Sequence, residues 1–90
     1  MAYFVISYDL HHQRTYGPVW ALLEQWEAVR GLESLWFVEL NNTAAEVRDA
    51  LQTVVDNDDS IVVVQLKKGS GWGTIRAPAA AKWMKANLSA

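Results

Sequence analysis

Hydrophobic residues fill most of the first ten positions and are mainly β-branched or aromatic, a composition typical of a strand packed against a core. We therefore predict a strand over residues 2–10. Because side chains alternate along a strand, Phe4, Ile6 and Tyr8 share the face that packs against helices. The opposite face carries Tyr3, Val5, Ser7 and Asp9.

Two later segments have helical spacing. The first predicts a helix over residues 16–27, whose sheet-facing positions are Val19, Leu22, Leu23 and Trp26. In the second, Thr43 followed by Glu46 has the pattern of a capping box and predicts a helix over residues 44–55.

The remaining segments complete a βαββαβ order with a tail. Residues 29–40 predict two short strands that turn near Glu33 and Ser34. Residues 60–66 predict a strand that is apolar on both faces. The tail consists of a glycine-rich loop at residues 67–73 and a helix at residues 79–87.

This order predicts an α+β, ferredoxin-like sandwich with a core at residues 1–66 and the tail, residues 67–90, in the same domain. Both core helices pack on one face of the antiparallel sheet, so an apolar face with Tyr3 and Val5 is left bare. An exposed apolar face of this size indicates an interface. We expect a homodimer with sheet facing sheet, with Ser7 also at the interface. The alternative is that the tail covers this face with Trp72 and Trp83.

Composition narrows the class of protein. With 90 residues, 51% of them hydrophobic and 20% charged, the chain predicts one globular domain. It has no cysteine, no apolar run near the length of a membrane span and no secretory signal, so we expect a cytoplasmic protein without membrane contact. A net charge of −2 argues against non-specific coating of nucleic acid but leaves a local basic patch open.

The candidate catalytic residues lie where the first strand ends. Asp9 occupies the carboxyl end of a buried strand, where α/β sheets commonly place ligands, although Asp also caps turns. His11 and His12 follow, and an imidazole can act as a general base or bind phosphate. Adjacent loop side chains point apart, so at most one histidine joins Asp9. Arg14 offers a planar fork to phosphate or is a solvated charge.

A second candidate patch follows the last core strand. Lys67 and Lys68 supply two cations, and Trp72 in the glycine-rich loop supplies an aromatic ring that can stack on a base. These three residues predict nucleic-acid binding, while the alternative for Trp72 is that it covers the sheet.

Three segments resemble the second CRISPR-associated protein, the Cas-two family. Residues 4–10, FVISYDL, match its opening strand, and residues 58–61, DDSI, match the entry to its last core strand. Residues 34–39, SLWFVE, are similar to its second-strand motif Gln-x-Ser-Val-Phe-Glu. The resemblance covers about residues 2–66, and the glycine-rich loop and helix that follow differ from the extra strand of that family. This departure favours a stand-alone relative, similar to the VapD-type toxin ribonucleases.

The resemblance implies a ferredoxin-like homodimer in which the two Asp9 carboxylates face each other and hold Mg²⁺ for phosphodiester cleavage. Mg²⁺ binds through one or two carboxylates plus phosphate oxygens and can activate a water molecule, so this chemistry suits an RNA or DNA substrate. Other members are non-catalytic bridges on DNA. The alternative function is a non-catalytic homodimeric scaffold with the same fold.

Overall fold

The computed structural model describes residues 1–10 and 16–89. The elements, in chain order, are β1 (Ala2–Asp9), α1 (Tyr16–Gln25), β2 (Val29–Leu32), β3 (Leu35–Leu40), α2 (Ala44–Gln52), β4 (Ser60–Leu66) and α3 (Pro78–Leu88). Each predicted strand and helix is confirmed, with ends that differ by up to three residues. The turn between β2 and β3 falls at Glu33 and Ser34, as predicted.

The four strands form one antiparallel sheet in the order β2-β3-β1-β4. The apolar β1 lies inside the sheet, between β3 and β4, where helices cover both of its faces. The protein is thus an α+β fold with a four-stranded antiparallel sheet and three helices, an arrangement compatible with a ferredoxin-like fold.

The capping box that begins α2 is present. The Thr43 hydroxyl accepts a hydrogen bond from the Glu46 backbone N–H at 3.1 Å. The Glu46 carboxylate accepts one from the Thr43 backbone N–H at 2.8 Å. These two bonds satisfy donors that would otherwise be unpaired at the helix start, so they fix where α2 begins.

The inner face of the sheet packs against α1 and α2. Phe4 and Ile6 of β1 are fully buried there, together with apolar side chains of both helices and of β3. The helix residues buried in this core are Val19, Leu23, Val47 and Leu51. This side of the fold follows the predicted periodicity.

The outer face is covered by α3. Phe37 of β3 is buried against Met84 and Leu88, and Tyr3 and Val5 of β1 pack at the edge of the same cluster. Trp83 stacks on the Phe37 ring at 4.8 Å and meets the Tyr3 ring edge-on at 5.7 Å between centroids. The outer face is therefore not bare, and the tail helix takes the second of the two predicted arrangements. Trp72 is 41% exposed.

The cover is incomplete at the edge of the sheet. Val62 and Val64 of β4 point to the same face as Val5, and they are 58% and 46% exposed.

Of the helices in the described ranges, α3 is the longest with eleven residues, and none is long and apolar enough to cross a bilayer.

Gly31 allows α3 to approach β2 closely. A methyl group at this position would lie 2.7 Å from the Phe37 ring and 3.2 Å from the Ala80 side chain. Since both neighbours are buried, we expect Gly31→Ala to lower the free energy of unfolding by about 1–3 kcal/mol. Urea denaturation measures this change.

Gly17→Ala is the matched control for that substitution. Gly17 lies in the first turn of α1, and a methyl group there meets none of the described atoms within 4 Å. Alanine is also the better helix former, so we expect an unchanged or slightly higher stability, by up to about 1 kcal/mol. Equal losses at Gly31 and Gly17 would contradict the steric explanation.

Candidate nucleic-acid interface

Asp9 ends β1 with an exposed side chain, opposite Ser60 of β4. Ser7 lies on the same face and is partly buried. The other residues predicted at this site, His11, His12 and Arg14, lie outside the described residues.

Asp9 is the described residue at which the sequence predicts a metal ligand. No group of three or more His, Cys, Asp or Glu side chains in the described part of the chain is placed to hold a metal ion. Asp9 fits Mg²⁺ as a single carboxylate, because this ion accepts phosphate oxygens and water as its other ligands. A substrate phosphate, or the Asp9 of a second copy, would supply further oxygen ligands.

The charges of the chain are strongly segregated along the sequence. Residues 60–90 contain five cations and no acid, whereas residues 1–59 contain ten acids and three cations. The five cations are Lys67, Lys68, Arg76, Lys82 and Lys85. The overall net charge of −2 conceals this asymmetry, so sequence reasoning from the total missed three of the five. A charge count by segment would have found them.

The fold brings these cations to the surface around α3. Lys82 and Lys85 are three residues apart and share one exposed face of the helix, because the opposite face is buried by Met84 and Leu88. The backbone N–H of Gly69 donates to the carbonyl of Leu88 at 2.7 Å. This bond holds the turn after β4 against the carboxyl end of α3.

Lys67 and Lys68 therefore lie at the same end of the molecule as Lys85, and both are exposed. Trp72 and Arg76 follow in the exposed segment that leads into α3. We call these six residues, Lys67, Lys68, Trp72, Arg76, Lys82 and Lys85, the basic surface.

An open cleft of about 460 Å³ borders the basic surface. Lys67 and Lys68 line one side, and Tyr3 and Glu39 line another. Local desolvation, followed by the neighbouring Glu39 carboxylate, raises the pKa of Tyr3 above its ordinary value. At neutral pH the Tyr3 hydroxyl is a hydrogen-bond donor, as a tyrosine ordinarily is.

The predicted catalytic and binding residues are separated. β1 and β4 are antiparallel, with Asp9 opposite Ser60 and Tyr3 opposite Leu66. Lys67 and Lys68 follow Leu66, so they lie roughly 20 Å from Asp9 along the strand direction. The structure places Lys67 and Lys68 at the carboxyl end of α3 and far from Asp9.

A buried network supports the end of β1 where Asp9 lies. The Tyr8 hydroxyl accepts hydrogen bonds from the indole N–H groups of Trp20 at 2.8 Å and Trp36 at 3.0 Å. It donates to the Glu33 carbonyl at 3.3 Å, which satisfies the full capacity of a hydroxyl group. The network joins β1 to α1, to β3 and to the turn between β2 and β3.

Arg30 closes this network from the solvent side. Its guanidinium lies 4.7 Å from the centroid of the Trp20 ring and 5.5 Å from that of Trp36. It also donates to the Glu33 carbonyl at 2.7 Å and 3.1 Å. Sequence spacing placed Tyr8 on the face of β1 that packs against helices, but no spacing rule indicates that two indoles meet one hydroxyl.

No protein-family model matches the chain.

Proposed function

We propose that this protein is a Cas-two-like, nucleic-acid-associated protein with a ferredoxin-like fold that contacts phosphates through the basic surface. The observation that carries the proposal is the exposure of five cations in residues 60–90, a segment that contains no acid. Lysine and arginine side chains that neutralise phosphates release condensed counterions, and this release drives binding that is independent of sequence.

Three features support the fold and family part of the proposal. The chain has the βαββαβ order followed by a helix, and its strand order is compatible with a ferredoxin-like sheet. Asp9 ends β1 with an exposed carboxylate. Asp58 and Asp59 immediately precede β4, as in the motif that resembles the family.

Trp72 favours nucleic acid with unpaired bases. The ring is 41% exposed and lies in the same segment as Lys67, Lys68 and Arg76. Stacking of a base on an exposed aromatic ring contributes about 1–3 kcal/mol and needs an unstacked base. We therefore expect single strands to bind more tightly than duplexes of the same length.

Fluorescence anisotropy with labelled 20-nucleotide RNA, DNA and duplex DNA tests this proposal. At about 50 mM salt, we expect the two single strands to bind in the micromolar range and the duplex more weakly, as is usual for electrostatic binding with stacking. Trp72→Ala should reduce the preference for single strands. If none of the three probes binds at a protein concentration 100-fold above this micromolar range, the proposal is overturned.

Mg²⁺-dependent phosphodiester hydrolysis at Asp9 is the second candidate function, favoured by the exposed carboxylate at the end of β1. We expect Asp9→Asn to abolish cleavage of RNA or DNA in the presence of Mg²⁺ or Mn²⁺, because an amide is a much poorer ligand for a hard cation. Denaturing gels measure cleavage, and anisotropy measures binding.

The same variant should bind the probes with unchanged affinity, since Asp9 lies roughly 20 Å from Lys67 and Lys68. Cleavage that persists in Asp9→Asn would rule out Asp9 as the metal ligand. A parallel loss of binding would place Asp9 in the binding surface instead.

A further inference from the structure

β4 forms one edge of the sheet, and among the described residues only β1 pairs with it. An edge strand can pair with a strand of another molecule unless charges, proline or a bulge prevent this. β4 has the sequence SIVVVQL and carries neither a charge nor a proline. Val62 and Val64 are also exposed, at 58% and 46%.

The backbone groups that β4 presents to solvent follow from the register. The Tyr8 N–H donates to the Ser34 carbonyl, so the backbone groups of Tyr8 point toward β3. Neighbouring residues of a strand point in opposite directions, so the groups of Ser7 and Val5 point toward β4. Their partners, Val62 and Val64, are thereby paired with β1. The outward N–H and C=O groups of β4 belong to Ile61, Val63 and Gln65.

We propose that β4 pairs with β4 of a second copy of this chain, antiparallel, about a two-fold axis at Val63. The outward groups of Val63 then face those of Val63 in the second copy, and those of Ile61 face those of Gln65. Val62 of each copy lies beside Val64 of the other in a non-hydrogen-bonded pair, where side chains are closest. The exposed valines of both copies thus form one apolar strip.

The charges that flank β4 favour a second copy of this chain as the pairing partner, and they favour the register with the axis at Val63. Two carboxylates, Asp58 and Asp59, precede the strand, and two ammonium groups, Lys67 and Lys68, follow it. With the axis at Val63, Asp59 lies opposite Lys67 of the second copy, and Asp58 and Lys68 lie in the turns next to this pair.

The neighbouring symmetric registers, with the axis at Val62 or Val64, shorten the paired length. They also move Asp59 by two positions from Lys67, so that it lies opposite Gln65 or Gly69 of the second copy. The Asp59 carboxylate accepts a hydrogen bond from the Asp56 backbone N–H at 2.8 Å, which fixes the turn that carries these charges. A second copy of the chain therefore fits the edge in shape, hydrogen bonding and charge.

This dimer differs from one with sheet facing sheet. The two sheets become one continuous sheet, and the two Asp9 residues lie far apart at opposite ends of the paired strands. The acids of one copy also lie next to Lys67 and Lys68 of the other and repel phosphate there. Nucleic acid and the second copy therefore compete for these lysines, so nucleic acid should lower the dimer fraction.

Sedimentation equilibrium without nucleic acid tests the pairing, so the result does not depend on the proposed function. We expect the wild-type chain to form dimers reversibly between about 1 and 500 µM, the range of weak homodimers. Val62→Lys should raise the dissociation constant at least tenfold, because a charge on an edge strand opposes pairing. Ile75→Lys, at another exposed apolar residue, should leave the constant unchanged.

A charge swap tests the register. Lys68→Asp and Asp58→Lys should each weaken the dimer, and the double variant should restore it, which a change in folding alone would not do. A wild-type chain that stays monomeric at 500 µM would overturn the proposal. So would a dimer that neither Val62→Lys nor the charge variants weaken, since it would use another surface.

Discussion

Lys82→Glu should weaken the binding of single-stranded RNA and DNA by about fivefold to tenfold near 0.1 M salt, because it replaces a phosphate contact with a repulsion. Lys82 lies in the middle of α3, on the exposed face that it shares with Lys85. The double variant Lys82→Glu with Lys85→Glu should bind weakly enough to approach the detection limit of anisotropy. Far-UV circular dichroism checks that both variants remain folded.

Arg48→Glu is the matched control for the change in net charge. Arg48 is an exposed cation in the middle of another helix, α2, where its side chain pairs with Asp49 at 2.9 Å. Both substitutions change the charge of the protein by the same amount, but only Lys82 belongs to the basic surface. Equal losses of affinity in the two variants would show that total charge, and not the basic surface, governs binding.

Tyr8→Phe should lower the free energy of unfolding by about 2–3 kcal/mol, a large part of the stability of a small domain. The substitution removes the acceptor for two indole N–H groups and the donor to the Glu33 carbonyl. Trp36 is buried, so its N–H would have no water in place of the hydroxyl. Thermal unfolding should shift downward by roughly 8–20 °C for a domain of this size.

Tyr3→Phe is the control for loss of a tyrosine hydroxyl. The Tyr3 hydroxyl borders the open cleft beside Glu39, so at neutral pH its loss should destabilise the protein far less than loss of the Tyr8 hydroxyl. At alkaline pH the two proteins should differ. The fold raises the pKa of Tyr3, so the wild-type chain loses stability as pH rises above the ordinary value of 10.0, and Tyr3→Phe lacks this loss.

If Tyr8→Phe is no more destabilising than Tyr3→Phe at neutral pH, the three-way network does not support the end of β1. The comparison therefore separates a buried hydroxyl with three partners from one at the surface. Urea denaturation at pH 7 and pH 10.5 provides both measurements for each variant.

Local signals predicted most elements of the fold. The run of β-branched and aromatic residues predicted β1, the apolar residues 61–64 predicted β4, and Thr43 with Glu46 predicted the start of α2. Each of these signals is contained in a short segment, so a single sequence is sufficient to interpret it.

The position of α3 depended on contacts that are distant in sequence. Trp83 packs on Tyr3 and Phe37, and Gly31 gives the helix room, but each residue alone is compatible with a dimer interface too. Either a second copy or the tail could have covered the outer face of the sheet. Which of them does so depends on loop length and packing, and hydrophobic periodicity does not predict these. Periodicity likewise does not predict that Trp20 and Trp36 both donate to the Tyr8 hydroxyl, because these residues are distant in sequence.

The candidate site was only partly predictable. Lys67, Lys68 and Trp72 were visible as a local cluster, whereas their position at the carboxyl end of α3, the helix that carries Lys82 and Lys85, depends on the hydrogen bond between Gly69 and Leu88. Asp9 stood out by its position at the end of a strand. Its distance from the lysines follows from the antiparallel pairing of β1 and β4, which the predicted topology already contained.

The most direct test of the basic surface is the salt dependence of wild-type binding to a 20-nucleotide single-stranded RNA. Three to five phosphate contacts predict that the logarithm of the binding constant falls linearly with the logarithm of salt concentration, with a slope of about −2 to −3.5. Lys82→Glu should make that slope shallower by roughly 0.7. A wild-type slope near zero, or no binding at 50 mM salt, would contradict the proposal that this surface binds phosphates.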